Sequence, residues 1–166
     1  MYNELTAVDI QKLKEELAYR KSLLDGLHDE VKRAKEFGDL SENDEYKTAK
    51  RELNANKSRI RYLEKMIGTA VLISIDSPPD AVGLFDEVEI YYPEDDEYRT
   101  VRIVTTLRND VLKDCISKES PFGKAILGHK VGDTITIEGN GGYTYPVEIR
   151  SIKKGTDDAS LPISKY

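Results

Sequence analysis

The fold is decided by two stretches, IQKLKEELAYRKSLLDGLHDEVKRA at residues 10–34 and YKTAKRELNANKSRIRYLEKMI at residues 46–67. In both, apolar side chains recur at spacings that alternate between three and four residues, which is typical of a coiled-coil seam. The seam positions are Ile10, Leu13, Leu17, Arg20, Leu24, Leu27, Val31 and Ala34, then Tyr46, Ala49, Leu53, Asn56, Ile60, Leu63 and Ile67. Arg20 and Asn56 are the two polar exceptions. Because only a short break separates the stretches, the pattern predicts an antiparallel coiled-coil hairpin with arms at residues 8–36 and 43–67.

Signals for helix ends flank both arms. Thr6 with Asp9 three residues later is a capping-box pattern, which predicts the start of the first helix. Ser41 with Asp44 repeats the pattern and predicts a cap for the second helix. Gly38 stands where the first helix should stop, because the residue just after a helix favours a left-handed backbone. The tip of the hairpin is therefore expected between Gly38 and Ser41.

The chain changes character near residue 68. All six prolines and nine of the eleven glycines follow this point. Residues 68–166 carry 11 basic and 17 acidic side chains, whereas residues 1–67 carry 14 of each. Segments rich in β-formers and separated by turns predict strands at Ala70–Ile75, Glu87–Tyr92, Thr100–Thr105, Thr134–Glu138 and Tyr143–Ile152.

The predicted fold class is α+β. Ser120 and Pro121 predict the start of one short helix, which Gly128 ends. Cys115 is expected to be a buried strand residue. We therefore expect a coiled-coil hairpin domain over residues 1–67, a small antiparallel sheet with one short helix over residues 68–154, and a loose polar tail over residues 155–166.

The composition excludes several classes of protein. A net charge of −6 argues against a protein that holds duplex DNA mainly through its phosphates. No apolar run approaches the roughly 20 residues of a membrane-spanning helix, and the first residues show no pattern of a secretory signal. The single cysteine, Cys115, excludes an internal disulfide, and with only His28 and His129 a Cys/His zinc site is not expected. These features predict a cytoplasmic protein without a cofactor of its own.

Charge is concentrated at the tip of the predicted hairpin. Residues 38–46, GDLSENDEY, hold four carboxylates within seven residues, and basic side chains flank them on both arms. Asp39 lies in the turn and Glu42 opens the second helix, so both carboxylates can approach one point near the positive end of that helix. Two exposed carboxylates alone would hold Mg²⁺ poorly, because the ion prefers octahedral oxygen coordination and keeps several waters. The segment is therefore either a solvated acidic loop or part of a metal site that a partner completes.

Two motifs resemble those of a known family. Residues 38–50, GDLSENDEYKTAK, closely resemble the tip motif of the GreA/GreB family of bacterial transcript cleavage factors. Further along, ISKESP at residues 116–121, GKAILG at 123–128 and VGD at 131–133 resemble the C-terminal signature of the same family. The resemblance covers residues 5–153, and the acidic balance with no long basic insertion places the chain nearer to the GreA branch than to the GreB branch.

The resemblance implies a partner and a set of site residues. The hairpin would enter the secondary channel of bacterial RNA polymerase as a monomer, and the second half, with an FKBP-like fold, would dock at the channel rim. Asp39 and Glu42 would help to hold the second Mg²⁺ of the polymerase and to orient the attacking water. The polymerase would then hydrolyse backtracked RNA, so this chain would stimulate a nuclease without being an enzyme. The residues assigned to contact with the 3′ end of that RNA are Lys35, Lys50 and Arg51.

The sequence allows alternative interpretations of two tip residues and of the function. Asp44 stands where the family usually has a small residue, and it either adds charge beside the metal-binding pair or only caps the helix. Tyr46 packs on the seam by default, although the resemblance implies that it also supports the tip. A channel-binding regulator without cleavage activity is the alternative function, because some relatives with altered tips inhibit the polymerase. A stand-alone prolyl isomerase is disfavoured, since its pocket is lined by aromatic residues and the second half has no Trp and only two Phe, Phe85 and Phe122.

Overall fold

The computed structural model describes residues 3–37 and 43–165. They form two compact units, a hairpin unit of residues Ile10–Ala70 and a sheet unit that joins residues 3–9 to residues 71–165. The first residues of the chain thus belong with the sheet, whereas the bounds drawn from the sequence assigned them to the hairpin. The physical reason is a strand pair, because β1 (Glu4–Leu5) lies parallel to β2 (Val71–Leu72).

The helical arms are α1 (Ala7–Ser22) and α2 (Leu24–Lys35) on one side and α3 (Asp44–Thr69) on the other. The first arm is interrupted at Leu23, where the backbone N–H of Leu23 donates to the carbonyl oxygen of Arg20 at 3.3 Å, as in a tighter 3₁₀ turn. The heptad spacing predicted an unbroken arm here. No helix in the described ranges is long and apolar enough to cross a membrane.

The predicted seam is confirmed, because every seam position is buried or half-buried. The two polar exceptions meet across it. Asn56 Nδ2 donates to the carbonyl oxygen of Arg20 at 2.9 Å, and Arg20 Nη1 donates to Asn56 Oδ1 at 3.4 Å. Beside the seam, Arg59 Nε donates to Glu16 Oε2 at 2.6 Å, and this hydrogen bond lowers the pKa of Glu16. Polar groups along the seam therefore pair between the arms, which lowers the cost of burying them.

The sheet unit is built on a mixed sheet, not the purely antiparallel one that was expected. Its strands are β3 (Glu87–Tyr92), β4 (Glu97–Val104), β5 (Cys115–Ser117), β6 (Thr134–Glu138) and β7 (Thr144–Lys153), in the order β5-β4-β3-β7-β6. Strands β4 and β5 are parallel, because two short 3₁₀ helices carry the chain back between them. The strand expected at Ala70–Ile75 is shorter in the structure and consists of β2 alone, because its partner β1 offers only two residues for pairing. The α+β fold class is confirmed.

The core of the sheet unit lies under α4 (Pro121–Ile126), and alternate residues of the strands point into it. Helix α4 begins as predicted, since Ser120 Oγ accepts a hydrogen bond from the backbone N–H of Gly123 at 3.0 Å and Pro121 is the first helical residue. Gly128 follows the helix with φ of +83°, the left-handed conformation that ends many helices.

The last residues pack against the sheet unit and do not form the loose tail that was expected. Gly155 N donates to Asp86 Oδ1 at 2.9 Å, and Ser164 N donates to the carbonyl oxygen of Leu107 at 2.6 Å. The side chain of Leu161 packs in a second buried cluster. Polar composition alone did not reveal these non-local contacts.

Candidate functional site at the hairpin tip

The two carboxylates that the resemblance assigns to catalysis, Asp39 and Glu42, lie outside the described residues, so their roles stay predictions. Gly38 and Ser41 lie outside as well. The structure describes the residues on both sides, from the end of α2 at Lys35 and from the start of α3. Within residues 3–37 and 43–165, no three His, Cys, Asp or Glu side chains converge in a way that could hold a metal ion.

Asn43 joins the two arms directly behind the tip. Its Oδ1 accepts a hydrogen bond from the backbone N–H of Tyr46 at 3.1 Å, which makes Asn43 the N-cap of α3. Its Nδ2 donates to the carbonyl oxygen of Ala34 in the last turn of α2 at 2.7 Å. One side chain therefore satisfies backbone groups at the end of one helix and at the start of the next. The capping-box pattern of Ser41 and Asp44 did not indicate Asn43, although Asn is among the favoured N-cap residues.

The expectation that Asp44 caps α3 is wrong. Asp44 is the first residue of α3 and is exposed, and the N-cap position belongs to Asn43. The physical reason is that the N-cap lies just before the first helical residue, outside the helix. The carboxylate of Asp44 lies in the first turn, where the positive end of the helix dipole favours negative charge. Its predicted partner Ser41 lies outside the described residues.

Three predicted site residues come together at one aromatic ring. Tyr46 is half-buried, as its heptad position predicts. Lys35 Nζ and Lys50 Nζ each lie 5.8 Å from the centroid of the Tyr46 ring, one from each arm. Ammonium groups within about 6 Å of a ring centroid are attracted to its π face. The Tyr46 ring therefore attracts the ammonium groups of Lys35 and Lys50, which lie on the arms next to the tip segment.

Two grooves near the tip differ in charge. The basic groove follows α3 and is lined by Tyr46, Lys47, Lys50, Arg51, Asn54, Ala55, Ser58 and Arg61. The acidic groove is lined by Glu30, Arg33, Ala34, Phe37, Asp44, Glu45, Thr48, Ala49 and Glu52. The predicted RNA-contacting residues Lys50 and Arg51 thus share one surface, whereas Lys35 does not line it and contacts the ring of Tyr46, which does.

Two substitutions of Asn43 distinguish the contributions of its two contacts to stability. Asn43→Ala is expected to lower the free energy of unfolding of the hairpin by about 1–2 kcal/mol, because it removes the N-cap and the bond to Ala34. Asn43→Asp is expected to lower the free energy of unfolding by a smaller amount, since Asp still caps a helix but cannot donate to a carbonyl oxygen. Far-UV circular dichroism during urea unfolding measures both. Asn54→Ala, an exposed change on the same helix, is the matched control, and an equal loss there would contradict the assignment.

The C-terminal signature surrounds a small ion-pair cluster in the sheet unit. Lys118 Nζ contacts the carboxylates of Glu4 and Glu119, the second at 2.8 Å. The hydrogen bond from Lys118 lowers the pKa of Glu119 to about 2, so this carboxylate is ionised at neutral pH. A Cβ at Gly123 in α4 would lie 2.2 Å from the carbonyl oxygen of Ser117 at the end of β5, so this close approach of helix and strand requires glycine. The signature therefore links β1, the end of β5 and the start of α4.

Known proteins match both units. The family described as "Transcription elongation factor, N-terminal" matches residues 3–72, and "Transcription elongation factor, GreA/GreB, C-term" matches residues 77–154. Transcription elongation factor GreA of Geobacillus kaustophilus is 41% identical over 145 residues, which cover 86% of this chain and 91% of that protein. The factor of the same name from Bacillus subtilis is 37% identical over 139 residues, 83% of this chain and 88% of that protein. The solved structure of GreA factor homolog 1 (Gfh1) of Thermus thermophilus has a TM-score of 0.42 and 27% identity, over 91% of this chain and 98% of that chain. From the family matches and the sequence relatives, the chain belongs to the GreA/GreB family of transcription elongation factors.

Proposed function

We propose that this chain is a transcription elongation factor whose hairpin enters the secondary channel of RNA polymerase and stimulates the polymerase to hydrolyse backtracked RNA. The observation that carries the proposal is the similarity to transcription elongation factor GreA, 41% identity over 145 residues. In this proposal the chain acts as a monomer in the cytoplasm, contacts the 3′ end of the RNA and leaves the chemistry to the polymerase.

The length of the second arm supports a function in which the hairpin extends deep into a partner. Helix α3 has 26 residues, which at 1.5 Å per residue extend over about 39 Å. The contacts of Arg20 with Asn56 and of Arg59 with Glu16 join the arms near the middle of α3, and Asn43 joins them at its start. A pair of helices has only one seam to bury, so an extended hairpin of this kind fits a function inside a narrow channel better than an enzymatic core.

In this proposal Asp39 and Glu42 contribute carboxylate oxygens to a Mg²⁺ ion that the polymerase shares. Carboxylates are ligands that Mg²⁺ takes in proteins, so the residue types fit the ion. When bound, the ion supplies a polarised water and stabilises charge on the transferring phosphoryl group. The described neighbours have a positioning role in this proposal, since Asn43 links the arms and the Tyr46 ring attracts one ammonium group from each arm.

The function is tested on a stalled, backtracked elongation complex that carries labelled RNA. Adding this chain is expected to release short 3′ fragments and to restore elongation. The chain alone, at millimolar Mg²⁺, is expected to leave free RNA intact, because two carboxylates without further protein ligands bind and position the ion poorly. Cleavage of free RNA without polymerase would contradict the proposal. Binding to the complex without fragment release would instead support the regulator that does not stimulate cleavage.

The basic groove gives a prediction of its own. The double change Lys50→Glu and Arg51→Glu is expected to weaken stimulated cleavage by about tenfold or more, because two positive charges become negative where RNA phosphates would approach. Folding should be unaffected, since both residues are exposed. Crosslinking to the RNA 3′ end should fall in parallel. The matched control is Lys14→Glu with Lys65→Glu, exposed changes elsewhere on the hairpin. Equal cleavage by the two double variants would contradict this prediction and would show that the basic groove is only a solvated surface.

A further inference from the structure

We infer that the sheet unit binds an arginine side chain of a protein partner in a groove formed by tyrosines and acidic residues. This tyrosine groove is lined by Tyr92, Glu94, Asp95, Tyr143, Tyr145 and Pro146 and has a volume of about 260 Å³. All of these residues belong to the sheet unit. The inference therefore does not rest on the proposed function of the hairpin tip.

The three tyrosines form a row of stacked rings. The centroids of Tyr92 and Tyr145 lie 6.3 Å apart with an angle of 22° between the ring planes, and those of Tyr145 and Tyr143 lie 5.9 Å apart at 28°. Tyr92 ends β3 on the face that also carries the buried Val88 and Ile90, and β7, which contributes Tyr145, is the neighbouring strand. Nearly parallel rings offer their faces to a flat group, unlike a cage that surrounds a round ammonium.

The row is held in place before any ligand binds. Tyr92 and Tyr145 pack against the core, and burial raises the pKa of both phenols, so both stay neutral at physiological pH. Tyr143 is 61% exposed, yet its ring lies directly over Gly139, where a Cβ would come within 2.6 Å of it. A surface ordered in advance loses less side-chain freedom on binding. The groove is therefore a preorganised site for a ligand.

The charge of the groove selects a cation. Glu94 and Asp95 lie in the turn between β3 and β4, and in the described part of the chain no Lys or Arg forms an ion pair with either carboxylate. Arg99, on the adjacent strand, is already engaged, with its Nη2 at 2.6 Å from Asp114 Oδ1. Single-stranded nucleic acid also stacks on aromatic rings, but its phosphates require a positive groove. A positively charged group from another protein satisfies both the rings and the carboxylates.

The chain itself shows the arrangement we propose. On the opposite face of the sheet, the guanidinium carbon of Arg150 lies 4.6 Å from the ring centroid of Tyr91 and 6.0 Å from that of Tyr98. A guanidinium is planar, stacks on aromatic faces and is less strongly hydrated than an ammonium, which favours arginine over lysine. The volume of about 260 Å³ is below the range typical of sites for drug-sized ligands, which favours one side chain with its adjoining backbone.

The test uses the full-length chain, labelled with ¹⁵N and titrated with acetyl-Gly-Gly-Arg-Gly-Gly-amide. The matched peptide carries citrulline, which keeps the planar shape of arginine and lacks its charge. We expect saturable shifts of the amide resonances of Tyr92, Tyr143 and Tyr145 with the arginine peptide, and affinity lower by about two- to fivefold or more for the citrulline peptide. Equal affinity for the two peptides, no shift with either, or shifts of these resonances by oligouridine would overturn the inference.

Variants of the groove distinguish it from a general surface effect. Tyr143→Ala removes the most exposed ring, Gly139→Ala displaces the same ring, and Glu94→Gln with Asp95→Asn removes the charge. Each is expected to weaken binding of the arginine peptide by about two- to fivefold while the remaining spectrum stays native. Tyr19→Ala is the matched control, since Tyr19 is 60% exposed in the hairpin unit. Parental affinity of Tyr143→Ala would also overturn the inference.

Discussion

Asp39→Asn and Glu42→Gln are each expected to lower the rate of stimulated RNA cleavage by about 10²-fold or more, while binding to RNA polymerase survives. Both changes keep the size and polarity of the side chain and remove one negative charge. A metal ion at a transferring phosphoryl group contributes several kcal/mol to the stability of the transition state, so the loss of one ligand has a large effect. A time course of 3′ fragment release, with competition binding in parallel, measures the two quantities separately.

Asp44→Asn is the matched control for the tip pair. It also removes one carboxylate charge, but because Asn43 caps α3, the start of the helix is preserved. We expect cleavage within a few-fold of the parent, and the remaining difference measures the effect of the Asp44 charge on the tip. Near-parental cleavage by both Asp39→Asn and Glu42→Gln would contradict the catalytic assignment and would favour the regulator without cleavage activity.

Asp9→Ala is expected to lower the free energy of unfolding of the sheet unit by about 3–5 kcal/mol, because it removes one of the two carboxylates that pair with the buried Arg108. Asp157 remains as the other partner, but the donors of Thr6 and Thr105 lose their buried acceptor. The side chains of Asp9 and Arg108 are both 0% exposed, and Asp9 Oδ1 lies 2.9 Å from Arg108 Nε, an ion-pair contact without good hydrogen-bond alignment. Asp9 Oδ2 accepts hydrogen bonds from Thr105 Oγ1 at 2.7 Å and from the backbone N–H of Thr6 at 3.0 Å. Urea unfolding measures the loss.

A matched change at an exposed ion pair controls for the loss of charge alone. Asp110 Oδ2 lies 4.0 Å from Lys113 Nζ, and the two side chains are 36% and 57% exposed. Asp110→Ala is therefore expected to change the free energy of unfolding by less than about 1 kcal/mol. If Asp9→Ala and Asp110→Ala cost the same, the buried pair does not have the role assigned to it.

Local patterns in the sequence predicted the features that depend on neighbouring residues. The heptad spacing identified the seam, and Thr6 with Asp9 forms the predicted capping box, in which Asp9 N donates to Thr6 Oγ1 at 3.2 Å. The second role of Asp9 was not predictable, because its partners Arg108 and Thr105 are distant in the sequence and only the tertiary fold brings them together.

The start of α3 shows where local patterns are ambiguous. The segment Ser41–Asp44 contains three residues that favour the N-cap position, so propensity alone does not select one of them. The hydrogen bond from Asn43 to Ala34 on the other arm distinguishes Asn43, and that contact depends on how the arms meet. The tyrosine groove was missed for a similar reason, since Tyr92 and Tyr145 become neighbours only through strand order.

The contact between Arg20 and Asn56 has a consequence for the position of the tip. A slip of one arm by a heptad would again align apolar positions, but it would lengthen or shorten that arm by about 10 Å. It would also leave both polar side chains against apolar neighbours, at a cost of about 1–3 kcal/mol for each unsatisfied group. Carboxylates that coordinate Mg²⁺ at about 2 Å cannot tolerate a displacement of that size. If Asp39 and Glu42 act as proposed, the polar pair fixes the register of the two arms and thereby the distance between the tip and the rest of the hairpin.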